Sequence, residues 1–236
     1  MKKYFVLLSL ALFAVAALPV GADAGQIIVI TSNDPGFKQG AVHDGRKSIS
    51  LKAGTEITFV SASGKTISLK GPYSGVPDAG TSAGDPNLLK ALGDIVQPPS
   101  KNTASAGVMR AGLHKPDDPW VIDAGRTGKH CISAGDSPKL WRGKANIKTN
   151  ATVKVKGGTG EASIEWKKGE YLTPWPATLP LQDGTSYLVK DTATKRLRSL
   201  TVFVAPADLP TAAHKAVWMS KKGCRKQAET LLSQLR

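Results

Sequence analysis

The residues best able to do chemistry in this 236-residue chain are a serine between glycines, four histidines, three closely spaced glutamates and two cysteines. Gly80-Thr81-Ser82-Ala83-Gly84 spells G-x-S-x-G. In an esterase-type elbow that serine stands on a sharp turn from a buried strand into a helix. A helix start does follow, with Asp85 as N-cap and Pro86 at the first helical position. The buried strand is missing, because residues 71–79 are rich in Gly and Pro. His114, His130 and His214 lie downstream as bases, yet no acid is spaced to orient any of them. A serine hydrolase at Ser82 is therefore the minor alternative.

Gly64-Lys65-Thr66 ends like a P-loop, which requires a further glycine five residues before its Gly-Lys pair. Phe59 stands there, within a predicted strand, so the segment reads as a hairpin turn. His43, His114, His130 and His214 share no H-x-x-x-H spacing, and the cysteines form no C-x-x-C, so no metal centre is expected. His130 and Cys131 are neighbours on a predicted strand and should face opposite sides. Glu161, Glu165 and Glu170 surround a predicted hairpin and read as solvated rather than as an acid–base pair. Trp175, between Pro174 and Pro176, reads as a packing anchor. No catalytic residue, cofactor or metal ligand is assigned, and the chain is expected to be non-enzymatic.

The address comes from the first 24 residues. Lys2 and Lys3 form a charged n-region, residues 5–17 an apolar run, and Ala22-Asp23-Ala24 a cleavage signal. This is the pattern of a secretory signal peptide, cleaved near Ala24. The run is shorter than the about 20 apolar residues of a membrane helix. No second such run follows, so no membrane span is expected after signal removal. The expected compartment is the bacterial periplasm, where Cys131 and Cys224 are expected to form a disulfide.

The formal net charge is +14. Such an excess favours polyanions. Export argues against nucleic acid and leaves an anionic envelope polymer such as lipopolysaccharide as an alternative partner. The basic residues are scattered in short pairs, such as Arg196/Arg198, Lys221/Lys222 and Arg225/Lys226, so a solvated surface is the simpler reading.

These residues must be positioned by short strands. Period-two alternation predicts strands over 26–31, 47–51, 56–61 and 66–69, joined by good turns. They form a compact β meander over 25–75. A linker over 76–117 carries one helix, 86–96, with Leu88, Leu89, Leu92, Ile95 and Val96 at helical spacing. Strands are predicted again over 120–122, 130–133, 145–147, 152–156, 163–166, 178–181, 186–189 and 200–204. That count suggests an immunoglobulin-like β-sandwich over 118–206, with Trp141, Trp166 and Trp175 in its core. A C-terminal αα-hairpin, 207–236, broken at Gly223, is expected to pack on the sandwich. The fold class is thus mainly β.

The stretch Ser48-Ile49-Ser50-Leu51-Lys52-Ala53-Gly54, the run Ile57-Thr58-Phe59-Val60, the hairpin Ser63 to Leu69 and the closing Gly71-Pro72-Tyr73 resemble the periplasmic β domain of FecR-type regulators. So does the turn near Gln39-Gly40. The whole chain is also similar to small exported proteobacterial proteins of uncharacterised function. The features there are Trp175-Pro176, Leu179-Pro180-Leu181, Asp183-Gly184, Tyr187, Gly223-Cys224 and Gln227-Ala228. FecR-type proteins relay a signal through a membrane helix to a cytoplasmic sigma factor. This chain is expected to have neither the helix nor the cytoplasmic region. The resemblance therefore implies a β module that contacts envelope proteins, as an adaptor or sensor accessory, and carries over no catalytic residue.

Overall fold

The computed structural model of the protein describes residues 25–80, 84–97 and 116–235. The signal segment, Ser82 and His114 lie outside the described residues. The first strand, β1 (Gln26–Ser32), explains the unit around it. Its residues Ile27, Ile28, Val29 and Ile30 are all fully buried. Successive strand residues point to opposite faces, so an unbroken buried run requires cover on both sides.

One cover is small. The sheet runs β2-β1-β4-β5, all antiparallel, with β2 Val42–Asp44, β4 Glu56–Ser61 and β5 Thr66–Lys70. Ile27, Val29, Ile57, Phe59 and Ile67 share a core with Leu51 and Tyr73. Those two belong to the separate pair β3 (Ile49–Leu51) and β6 (Tyr73–Gly75). The expected meander is therefore two pieces, because β3 leaves the main sheet to cap it. The β2 edge, with Val42 exposed, carries too little apolar pattern to be read from sequence.

The other cover is helical. Helix α1 (Pro86–Val96) starts where Asp85 accepts a hydrogen bond from the Asn87 N–H at 2.9 Å. Its Leu88, Leu89, Leu92 and Ile95 are buried against Ile28, Ile30, Val60 and Ala62. Helices α2 (Ala212–Lys222) and α3 (Arg225–Ser233) join the same core through Ala213, Ala216, Val217, Met219, Ala228 and Leu232. Gly223 separates them at φ +90°, a left-handed position that favours glycine. The hairpin thus packs chiefly on α1 and the N-terminal sheet, and it also meets the sandwich, as the sequence suggests, where Cys131 joins the same core. The small Ala213 and Ala216, both buried, let α2 approach closely.

The second β unit is a sandwich. One sheet runs β11-β10-β13-β14-β8, from Glu161–Trp166, Thr149–Val155, Thr185–Asp191, Leu197–Val204 and Gly128–Ile132. The other runs β12-β9-β7, from Leu172–Pro174, Lys139–Trp141 and Ile122–Asp123. Leu140, Val153, Trp166, Trp175, Tyr187, Val189, Leu200 and Val202 fill the space between. Each sheet holds one parallel pair, β14 with β8 and β9 with β7, which all-antiparallel immunoglobulin-like sheets lack.

One corner does follow the immunoglobulin pattern. The Tyr187 hydroxyl, near the start of β13, donates to the Pro180 carbonyl at 3.1 Å and accepts from the Gln182 N–H at 3.0 Å. That is a tyrosine corner, tying a strand to the chain just before it. Trp175 stands edge-on to Tyr187, with ring centres 5.0 Å apart, and its indole N–H bonds the Leu179 carbonyl. So residues 178–181 form a turn with Leu179 buried rather than a strand, and Pro180 has no N–H for a ladder. The motif from Trp175 to Tyr187 is one packed corner.

Residues 145–147 are not a strand either. The Arg142 guanidinium, buried beneath them, donates to the carbonyls of Ile147 (2.8 Å), Lys167 and Glu170 (2.8 Å). This bond set fixes two loops that have no ladder of their own. Arg142→Leu leaves three carbonyls without that donor and should cost about 2 kcal/mol. Urea unfolding measures it; a loss below about 0.5 kcal/mol would show water serving equally well.

Candidate functional site

Among the described residues, those singled out for chemistry are not brought together into a site. Ser82 is outside the described residues, but its flanking glycines have local reasons. Gly80 sits at φ +77°, and a Cβ on Gly84 would collide with Ala62. The strand upstream is β6, three residues long and partly exposed, not a buried elbow strand. His214 lies in the first turn of α2, its Nδ1 2.8 Å from the hydroxyl of the N-cap Thr211. Lys65 pairs with Asp78 at 2.6 Å in the β4–β5 turn region. The hairpin reading of Gly64-Lys65-Thr66 holds, with Gly64 at φ +83°. Glu165 pairs with Lys148, and Glu170 accepts the Lys167 N–H. His43 is stacked among Phe37 and Phe59. Among the described residues, no group of three His, Cys, Asp or Glu could hold a metal ion.

Two other places stand out. The first is the seam between the hairpin and the sandwich. Cys131 on β8 and Cys224 at the start of α3 form a buried disulfide, Cα atoms 6.0 Å apart. Beside it the Gln227 amide donates to the carbonyls of Pro119 (2.6 Å), Val121 (3.2 Å) and Cys131 (2.8 Å). Its carbonyl oxygen accepts the Cys131 N–H at 2.8 Å. One side chain therefore serves the backbone of two sandwich segments. Gln227→Ala should cost about 2 kcal/mol, since it orphans a buried N–H next to the disulfide. Thermal unfolding of the oxidised variant checks this; an unchanged midpoint would contradict it.

The seam also holds His130, on the opposite face of β8 from Cys131 as strand geometry requires. It is buried, and burial pushes its pKa down to about 4. Nδ1 accepts the Asp123 N–H and Nε2 faces the Arg126 carbonyl, both at 3.4 Å. That is a neutral ring with Nε2 protonated. The neighbouring Asp123 carboxyl is shifted upward, first by burial, against the lowering effects of the Gly125 N–H and nearby cations. The pair fixes the β7–β8 turn; nothing nucleophilic adjoins it.

The second place is a surface. Ile147 is 54% exposed, Leu172 42% and Tyr171 38%. The Arg142 bonds draw their segments together: the Arg142 N–H also donates to the Tyr171 carbonyl at 2.9 Å. Leu172 lies on β12, an edge strand. Lys144, Lys148, Lys167 and Lys168 come from the same two loops. Sequence reasoning missed this patch because its parts lie over 20 residues apart and meet only through Arg142. The described residues also contain no helix long and apolar enough to cross a membrane. Compared with known protein families and with curated proteins, the chain matches no family model and no curated protein.

Proposed function

We propose that the chain is a non-enzymatic protein of the bacterial periplasm that makes protein–protein contacts in the cell envelope, as an adaptor or sensor accessory. The observation that carries this reading is three exposed apolar side chains, Ile147, Tyr171 and Leu172, on segments at a sheet edge that Arg142 ties together. Arg142 bonds the backbone of both loops, and Lys144, Lys148, Lys167 and Lys168 lie on the same loops. A preformed apolar centre with a polar rim is how protein interfaces are built. An edge strand adds backbone groups that a partner strand can pair. The rim favours a partner whose apolar contact is ringed by carboxylates. The disulfide, the signal-like N-terminus and the FecR-like resemblance of residues 27–73 support the envelope setting.

The test is cross-linking in living cells followed by mass spectrometry of the adducts. Wild type should give one envelope protein reproducibly, and Ile147→Asp with Leu172→Asp should abolish it. Both sites are exposed, so the double variant should keep the wild-type circular dichroism. An identical adduct pattern in the folded double variant would refute the patch as the contact.

A further inference from the structure

The fold gathers cations that are scattered in sequence. Arg126 is on the β7–β8 turn, Lys129 on β8, Arg198 on β14, Lys222 at the end of α2 and Lys226 on the first turn of α3. The Lys129 chain lies across Gly223, where a Cβ would sit 2.8 Å from its Cδ. The Nζ of Lys129 and of Lys222 both stand over the Phe203 ring, 5.9 and 5.1 Å from its centre. Lys222 is also 5.9 Å from the Trp218 ring. Arg126, Arg198 and Lys226 surround Asp123 closely enough to act on its titration.

Among the described residues, no carboxylate pairs with Lys129, Arg198, Lys222 or Lys226; Arg126 reaches Asp123 only at 4.0 Å. Asp123, half-buried beneath the Arg126, Arg198 and Lys226 side chains, is one carboxyl against three cations. The ammonium groups of Lys129 and Lys222 share one ring and repel, and Lys226 stands at the positive end of the α3 dipole. The face is nonetheless rigid, because Cys131–Cys224 and Gln227 lock its two halves together. Aromatic rings beside lysine ammonium groups suit a headgroup layer, where the rings take the interface and the cations take phosphate.

We propose that this seam face, centred on Lys129, Phe203 and Lys222, is a docking surface for a lipid layer bearing anionic phosphate. It is a second contact, on a different part of the fold from the apolar patch. The experiment is co-sedimentation of the oxidised, signal-free protein with phosphatidylcholine vesicles, with and without about 30% phosphatidylglycerol. Two triple variants of equal charge are compared: Lys129→Gln/Lys222→Gln/Lys226→Gln, and Lys144→Gln/Lys167→Gln/Lys168→Gln.

Wild type should bind only the anionic vesicles, with affinity falling steeply as salt is added. The seam variant should bind about a hundredfold more weakly, at about fivefold per lysine. The control variant should change less than about threefold by the same scale. Equal losses in both variants would overturn the proposal, since net charge alone would then explain binding. Equal binding to both vesicle types, or full displacement by inorganic phosphate at vesicle phosphate concentration, would overturn it too. Unfolding midpoints of the two variants within a few degrees of wild type show that the comparison is between folded proteins.

Discussion

Replacing both cysteines, Cys131→Ala with Cys224→Ala, should lower the stability of the protein by about 4 kcal/mol. The bridge closes a loop across 93 residues. In the chain-entropy account, a cross-link of that span removes about 4 to 5 kcal/mol of freedom from the unfolded chain. Cys131 and Cys224 are also both buried, so the variant leaves two small voids at the seam. The loss should not be spread evenly. Helix α3 and β8 meet at the bridge, whereas β10 and β13 are held by their own ladder and core. Amide exchange should therefore rise first in α3 and β8. Guanidinium unfolding of the variant and of reduced wild type measures the total. A change below about 1 kcal/mol, or exchange that rises uniformly, would contradict the seam's role.

Acidification should cost about 3 kcal/mol between pH 6.5 and 4 through His130. Its folded pKa is about 4, against the ordinary 6.5. The unfolded chain therefore binds a proton across that window while the native ring stays neutral. Stability is fully present above pH 6.5 and declines as pH falls toward 4, by about 1.4 kcal/mol per unit at most. Below that the native ring also protonates and the decline stops. Asp123 acts in the opposite sense. Its raised pKa stabilises the fold at low pH, and that benefit is lost as pH rises from 3.8 through its folded value. It therefore blunts the His130 slope at the acid end. His130→Gln should flatten the profile between pH 5 and 6.5, because an amide can still accept from Asp123 N–H and donate to the Arg126 carbonyl. An unchanged slope in that variant would assign the effect elsewhere.

Much of this fold is legible where local chemistry decides. Asp85-Pro86 predicts a helix start because the cap and the proline act within one turn. Thr211 and Gly223 bound α2 for the same reason. Strand β4 matches its expected limits, and the Cys131–Cys224 pairing is the one expected from an even count and a signal-like N-terminus. The failures share a cause. Strands β2, β9 and β12 are three residues long, too short to show a period. Ile147 and Leu179 sit in apolar runs that resemble strands, but a guanidinium and an indole N–H hold them in loops. That the hairpin packs on α1 and the N-terminal sheet as well as on the sandwich depends on contacts between segments far apart in sequence. Gln227, Arg142 and Tyr187 are ordinary polar residues until their distant backbone partners are known. The two surfaces were invisible for the same reason, since neither is contiguous in sequence.

A photo-cross-linking amino acid at position 172, in place of Leu172 on the edge strand, tests the central claim most directly. Illumination in living cells should trap one envelope protein in good yield, with little product from the same probe at Val76, which is at least as exposed on the other β unit. No adduct at position 172, or the same adducts at both positions, would show that the Arg142-braced patch is not a protein-binding surface.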